Sequence, residues 1–172
     1  MRFTEKTYQK NQHALEATKI KRKVFSMFSI HVERTIDKPI ETVFSVLSDH
    51  ANYGQFKAVD KATMLKEGTA QSNGVGAVRE IIASNSNLHE EIVKYDPPYC
   101  LGYKVIKATP LPYDHQLGEI TLKDVDGKTH VTWRSIGHIS VPILGTYYFD
   151  KQIQKVGSRA FGSMLKQIDS IR

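Results

Sequence analysis

From Phe28 to Ile36, in FSIHVERTI, apolar and polar residues alternate with period two and β-branched side chains are frequent, which predicts a strand. The period then changes. Ile40, Val43, Phe44 and Leu47 fall at i, i+3, i+4 and i+7, giving a helix with one buried face. Pro39 suits its first turn, and Asp37 or Lys38 its cap. Gly54 limits ANYGQF to a short further turn. Six more strand patterns follow: VDKATMLKEG, GAVREIIAS after the SNGVG turn, LHEEIVKYD after NSN, YCLGYKVIKA after Pro97-Pro98, and YDHQLGEITLKDV joined by DG to KTHVTWRSIGHISV. Seven strands in successive hairpins read as an antiparallel meander.

The tail returns to helical spacing. Phe149, Ile153, Val156, Ala160, Met164, Ile168 and Ile171 recur at three- and four-residue steps, with Phe161 and Leu165 widening the stripe. This predicts an amphipathic helix of about 25 residues, roughly 37 Å long. Gly157 and Gly162 are out of place within it, each costing about 1 kcal/mol against Ala. Two readings stand: close packing against the sheet, or removal of bulk beside a space. A strand, short helices, six strands and a long helix are best buried as a curved antiparallel sheet wrapped round the terminal helix, an α+β architecture.

Charge separates the first residues from the rest. Residues 1–28 hold seven basic and two acidic side chains, residues 29–172 seventeen and sixteen, so the net charge of +6 is largely local to a leader. That distribution argues against nucleic acid as a partner of the main domain. The leader, residues 1–27, reads as a basic helical or frayed extension, and residues 28–172 as one domain. KIKRK can touch an anionic lipid surface, each basic residue contributing about 1 kcal/mol. Without a bulky apolar face, that contact is weak. No apolar run approaches a membrane span and the leader has no signal-peptide core. A single cysteine, Cys100, excludes an intrachain disulfide and fits a reducing cytoplasm. The cytoplasm is the expected location.

The order of several motifs resembles the START-like superfamily, and within its SRPBCC families the polyketide cyclase/dehydratase group, with the helix-grip fold. HVERTIDKPIETVFSVLSD is similar to the family's opening strand and helix, GVGAVRE to its Gly-x-x-Arg strand, and EEIVKYDPPYCLGYKV to its Asp-Pro-Pro hairpin. GEITLKDVDGKTHVTWR resembles the penultimate hairpin. The resemblance covers residues 29–172. It implies a deep cavity between sheet and long helix, holding a hydrophobic or amphipathic small molecule.

In that register Arg79 points into the cavity. A buried guanidinium stays charged and needs an acceptor, so there it either pairs with Glu90 on the next strand or grips a ligand; an exposed Arg79 is the alternative to that register. Tyr103 and Trp133 share faces with apolar neighbours and line the same space, as do Ile92, Phe161 and Met164, with Ile81, Leu101 and Val105 completing the wall. Tyr53 is expected in a loop, exposed or at an entrance. Strict alternation with Ile120 and Leu122 puts His115 and Glu119 on the outer face, away from any chemistry. There is no metal-binding spacing, phosphate loop or nucleophile elbow in the sequence, so no cofactor or metal is expected. Binding of a lipid-like or polyketide-like molecule, as a carrier or sensor, therefore ranks before a cyclase or dehydratase in which Arg79 stabilises an enolate and Tyr103 or Glu90 moves a proton. The oligomeric state is not legible.

Overall fold

The computed structural model describes residues 27–142 and 144–171. The expectations for the leader lie outside them. Seven strands form one antiparallel sheet: β1 (Phe28–Ile36), β2 (Lys61–Lys66), β3 (Val78–Ala83), β4 (Ser86–Asp96), β5 (Cys100–Thr109), β6 (Tyr113–Val125) and β7 (Lys128–Ile139). Their order is β1-β7-β6-β5-β4-β3-β2, so β2 to β7 are a meander and β1 closes on the last strand. Helix α1 (Ile40–Ser48) follows β1, buries Ile40, Val43, Phe44 and Leu47, and leads into a 3-10 helix at His50–Gln55. The expected helix-grip architecture is observed: the long C-terminal helix α2 (Asp150–Ser170) crosses the inner face of the sheet. The turn before β4 is Ser84-Asn85 rather than NSN, with Ser84 in the left-handed region at φ 53°.

Helix α2 has 21 residues and is preceded by a π turn at Gly145–Phe149, so the apolar run of about 25 is divided in two. Its start is fixed by Asp150, whose carboxylate accepts the Ile139 amide at 2.8 Å. Near its end Asp169 accepts from Arg34 Nη2 at 2.8 Å and from the Asp37 amide at 3.0 Å, while Gln167 donates to the Gln55 carbonyl at 2.6 Å. Met164, Leu165 and Ile168, in the last turns, are buried in the main core with Leu47, Leu101, Ile120 and Val131. The first turns are less closely packed: Val156 is exposed and Ile153 half-buried. No helix among the described residues is long and apolar enough to cross a membrane.

The two helix glycines have different reasons. A Cβ on Gly157 would stand 2.3 Å from Ile30 Cδ1, so the helix backbone rests directly on β1 there. On Gly162 the nearest atom would be Val32 Cγ1, at 4.0 Å, an ordinary contact. Gly162→Ala should therefore raise stability in urea denaturation by about 0.5–1 kcal/mol, the helix-propensity gain. Gly157→Ala should give no gain, because Ile30 must be displaced. Equal gains at both positions would contradict the close approach to β1.

Candidate functional site

Between the inner face of the sheet and the first turns of α2 lies a cavity of about 450 Å³. Its wall is largely apolar, with Ile81, Leu88, Val105, Trp133, Phe161 and Met164 among the lining residues. Trp133 and Phe161 stack with centroids 4.1 Å apart and planes 12° apart, joining sheet to helix across the space. Lys57, Val156 and Arg159, all exposed, line it where it meets solvent.

The polar lining comes from neighbouring strands. Arg79 on β3 is directly opposite Glu90 on β4, both inward. Arg79 is 2% exposed, and its Nε and Nη2 donate to Glu90 Oε2 at 2.8 and 2.6 Å. Its Nη1 lies 2.6 Å from His50 Nδ1. A guanidinium only donates, so His50 accepts and is the neutral tautomer. The guanidinium also lies 4.4 Å above the centre of the Tyr53 ring. Burial works most strongly against its charge, but Glu90 and Tyr53 together outweigh that and hold its pKa above the ordinary value. Desolvation, reinforced by the Arg79 charge, takes the His50 pKa down to about 2. His50 Nε2 is buried and makes no hydrogen bond among the described residues.

A second group stands on β5, β6 and β7. Tyr103 crosses Gly118 of β6, where an added Cβ would come within 2.5 Å of the ring, and its hydroxyl accepts from Trp133 Nε1 at 3.0 Å. The β5–β6 ladder stops at that Tyr103–Gly118 pair. Beyond it, His115 Nδ1 accepts the Val105 amide at 3.1 Å, supplying the acceptor that the missing ladder does not. His115 Nε2 is 3.0 Å from Ser135 Oγ, and its ring stacks on Tyr103 with centroids 5.6 Å apart. Burial lowers the His115 pKa. Burial, with the Glu90 charge, raises that of Tyr103.

Six of the seven residues named from sequence (Arg79, Glu90, Tyr103, Trp133, Phe161 and Met164) line this cavity. Ile92 does not: it is inward and 1% exposed, but packed in the main core, as is Leu101. The alternation rule identifies their face and not their distance from the open space. His115 is a clear correction, being 3% exposed and inside the cavity. Register shifts between His115 and Leu117, so a bulge reverses the facing of β6. Tyr53 is also corrected. The 3-10 helix tucks it under Arg79, 2% exposed, with its hydroxyl donating to the Leu47 carbonyl. His50 escapes sequence reasoning, since nothing in its spacing marks a polar group inside, whereas Ser135 continues the inward alternation of Val131 and Trp133, the signal by which it could be found. Cys100 is a buried free thiol, on the side of β5 opposite Leu101. Among the described residues, no three His, Cys, Asp or Glu side chains gather as a metal site would require.

The model of a family described as polyketide cyclase / dehydrase and lipid transport matches residues 27–154. Solved structures share the fold at low identity. The TTHA0849 protein of Thermus thermophilus is 18% identical with a TM-score of 0.67, over 82% of this chain and 94% of its own. The Zhui aromatase/cyclase of Streptomyces sp. R1128 is 16% identical with a TM-score of 0.67, over 83% and 94%. A START superfamily protein from Mycobacterium smegmatis is 12% identical with a TM-score of 0.62, over 83% and 99%. A search of curated proteins finds no sequence match.

Arg79→Ala should destabilise by about 3–5 kcal/mol in urea denaturation, because Glu90 is left buried without its cation. The double change Arg79→Met, Glu90→Leu should recover most of that loss. An unaffected Arg79→Ala protein would mean that the pair is not buried. Stability should also fall with acid. His50 and His115 have lowered folded-state pKa values, so below the ordinary histidine value of 6.5 the unfolded chain binds protons that the folded one refuses. Their contribution is complete above 6.5 and is lost on acidification, with a limiting slope of about 1.4 kcal/mol per pH unit for each group. Between pH 6.5 and 5, a His50→Gln, His115→Gln protein should show a flatter profile in the same assay. An identical slope would place the titration elsewhere.

Proposed function

The chain belongs to the polyketide cyclase / dehydrase and lipid transport family, and from that premise we propose that it binds a hydrophobic or amphipathic small molecule between the sheet and α2, as a carrier or sensor. One observation carries the reading: a cavity of about 450 Å³ whose wall is apolar and whose polar groups come from a few neighbouring strands. Small-molecule sites have this form, with volumes of ~300–1,000 Å³ and a few polar groups fixing orientation. Residues 28–172 form the ligand-binding domain and residues 1–27 an extension to it. Trp133, Phe161 and Met164 supply contact area, and the sheet-borne polar groups orient one end of the ligand. Lys57 and Arg159 give the outer end positive charge.

An enzyme of cyclase or dehydratase type is the second reading, favoured by the inward position of His115 beside Tyr103. It asks for a group free to take a proton from substrate. His115 has both ring nitrogens engaged, with Val105 and Ser135, and Glu90 is held by Arg79. Binding makes no such demand, so it is the stronger reading.

Native mass spectrometry of freshly purified protein is the test. The expected result is a reproducible added mass, released on denaturation, or uptake of a fluorescent apolar probe by protein that arrives empty. A protein that neither carries such a mass nor takes up the probe would end the ligand-pocket reading.

A further inference from the structure

We propose that Tyr103 is a hydrogen-bond donor reserved for a neutral acceptor oxygen on the ligand, of the carbonyl type. The inference rests on the reading of the cavity as a ligand pocket and specifies what the bound molecule carries at its inner end.

It follows from the direction each hydrogen bond must take. A backbone amide can only donate, so Val105 gives its proton to His115 Nδ1 at 3.1 Å. A neutral imidazole that accepts at Nδ1 carries its proton on Nε2, which must therefore donate to Ser135 Oγ at 3.0 Å. Ser135 has then accepted, and its own proton is left to give. An indole N–H also only donates, so the phenol oxygen of Tyr103 accepts from Trp133 at 3.0 Å. The Tyr103 oxygen is thus occupied as an acceptor, and its O–H is what remains. Among the described residues no hydrogen bond takes up that proton.

The neighbouring groups sharpen the choice. Arg79 donates both of its Glu90 contacts to a single oxygen, Oε2, and turns Nη1 to His50, so its charge is already answered. Next to that neutralised pair, an acceptor that brings no charge of its own avoids the cost of burying an ion. Polarised on its oxygen side by the Trp133 donor, the phenol is a better donor than an isolated one. A ketone, quinone or ester oxygen meets it. A pure hydrocarbon leaves it unpaired in an apolar enclosure.

Trp133 is the one tryptophan of the chain and lines the cavity, so its emission reports binding there. The experiment compares 9-fluorenone with fluorene, the same ring system without the oxygen, on the wild-type protein. Fluorenone is expected to bind about three- to ten-fold tighter, as one net hydrogen bond allows. Its carbonyl stretch, followed by infrared spectroscopy, should move to lower wavenumber on binding. In Tyr103→Phe the preference and the shift should disappear while fluorene affinity is kept. The wild-type comparison decides the matter even if that variant does not fold. Fluorene binding as tightly as fluorenone, with an unmoved carbonyl stretch, would overturn the assignment of Tyr103 and leave the pocket reading intact. Failure of both compounds to bind would overturn the pocket reading and this inference with it.

Discussion

A guanidinium enclosed in protein cannot shed its proton, so it dictates the surroundings that make its burial tolerable. At 2% exposure Arg79 imposes that demand on two neighbouring elements at once. Glu90 is set opposite it by the β3–β4 register, the 3-10 helix after α1 brings His50 to its Nη1, and Tyr53 lies beneath its plane. A buried pair of this kind adds little to stability compared with an apolar replacement of the same volume. Its strength is geometric: two bonds join β3 to β4, and the third, with the Tyr53 ring contact, ties the segment after α1 to the sheet. The floor of the cavity is rigid for that reason. The positive charge that draws attention in the sequence is also answered within the protein, which leaves neutral groups further along the sheet as the polar lining without a charge partner.

Those neutral groups owe their position to a defect in the sheet. Were β6 regular, His115 would face outward and the Val105 amide would pair with a β6 carbonyl. The bulge after His115 brings the imidazole inside just where the β5–β6 ladder ends, and the side chain takes over the lost backbone bond. Gly118 leaves the space through which the Tyr103 ring crosses towards β7 and meets Trp133. Each step is a local repair of backbone or side-chain satisfaction. Together they bring an imidazole and a phenol side by side at the cavity surface.

This division explains what the sequence discloses. Alternation and turn residues carry the seven strands, their antiparallel order and the facing of Tyr103 and Trp133, because period-two patterning is a direct consequence of one buried face, while the facing of Arg79 and Glu90 comes from the family register. Pairing of Arg79 with Glu90, one of the two readings left open, follows once the register is known. His115 defeats the pattern since one extra residue reverses every facing beyond it, and no residue in YDHQLGEITL announces the insertion. Tyr53 defeats it too, since the spacing gives no reason for a six-residue 3-10 helix to fold back under the sheet. For Ile92 the face is right, but alternation says nothing of whether an inward side chain meets the helix or a void.

The void itself depends on how α2 is held. Asp150 fixes its first residue to the end of β7, and Gln167 and Asp169 fix its last turns to the 3-10 helix and β1. Between these anchors the helix touches β1 at Gly157 and β7 through the Phe161–Trp133 stack. A helix free to settle would close down on an apolar space of 450 Å³, since each unfilled contact forfeits dispersion energy. Anchored at both ends and propped by an aromatic pair, it cannot. The space is therefore maintained by the scaffold rather than left over from poor packing, and a molecule that fills it recovers contacts the protein alone cannot make.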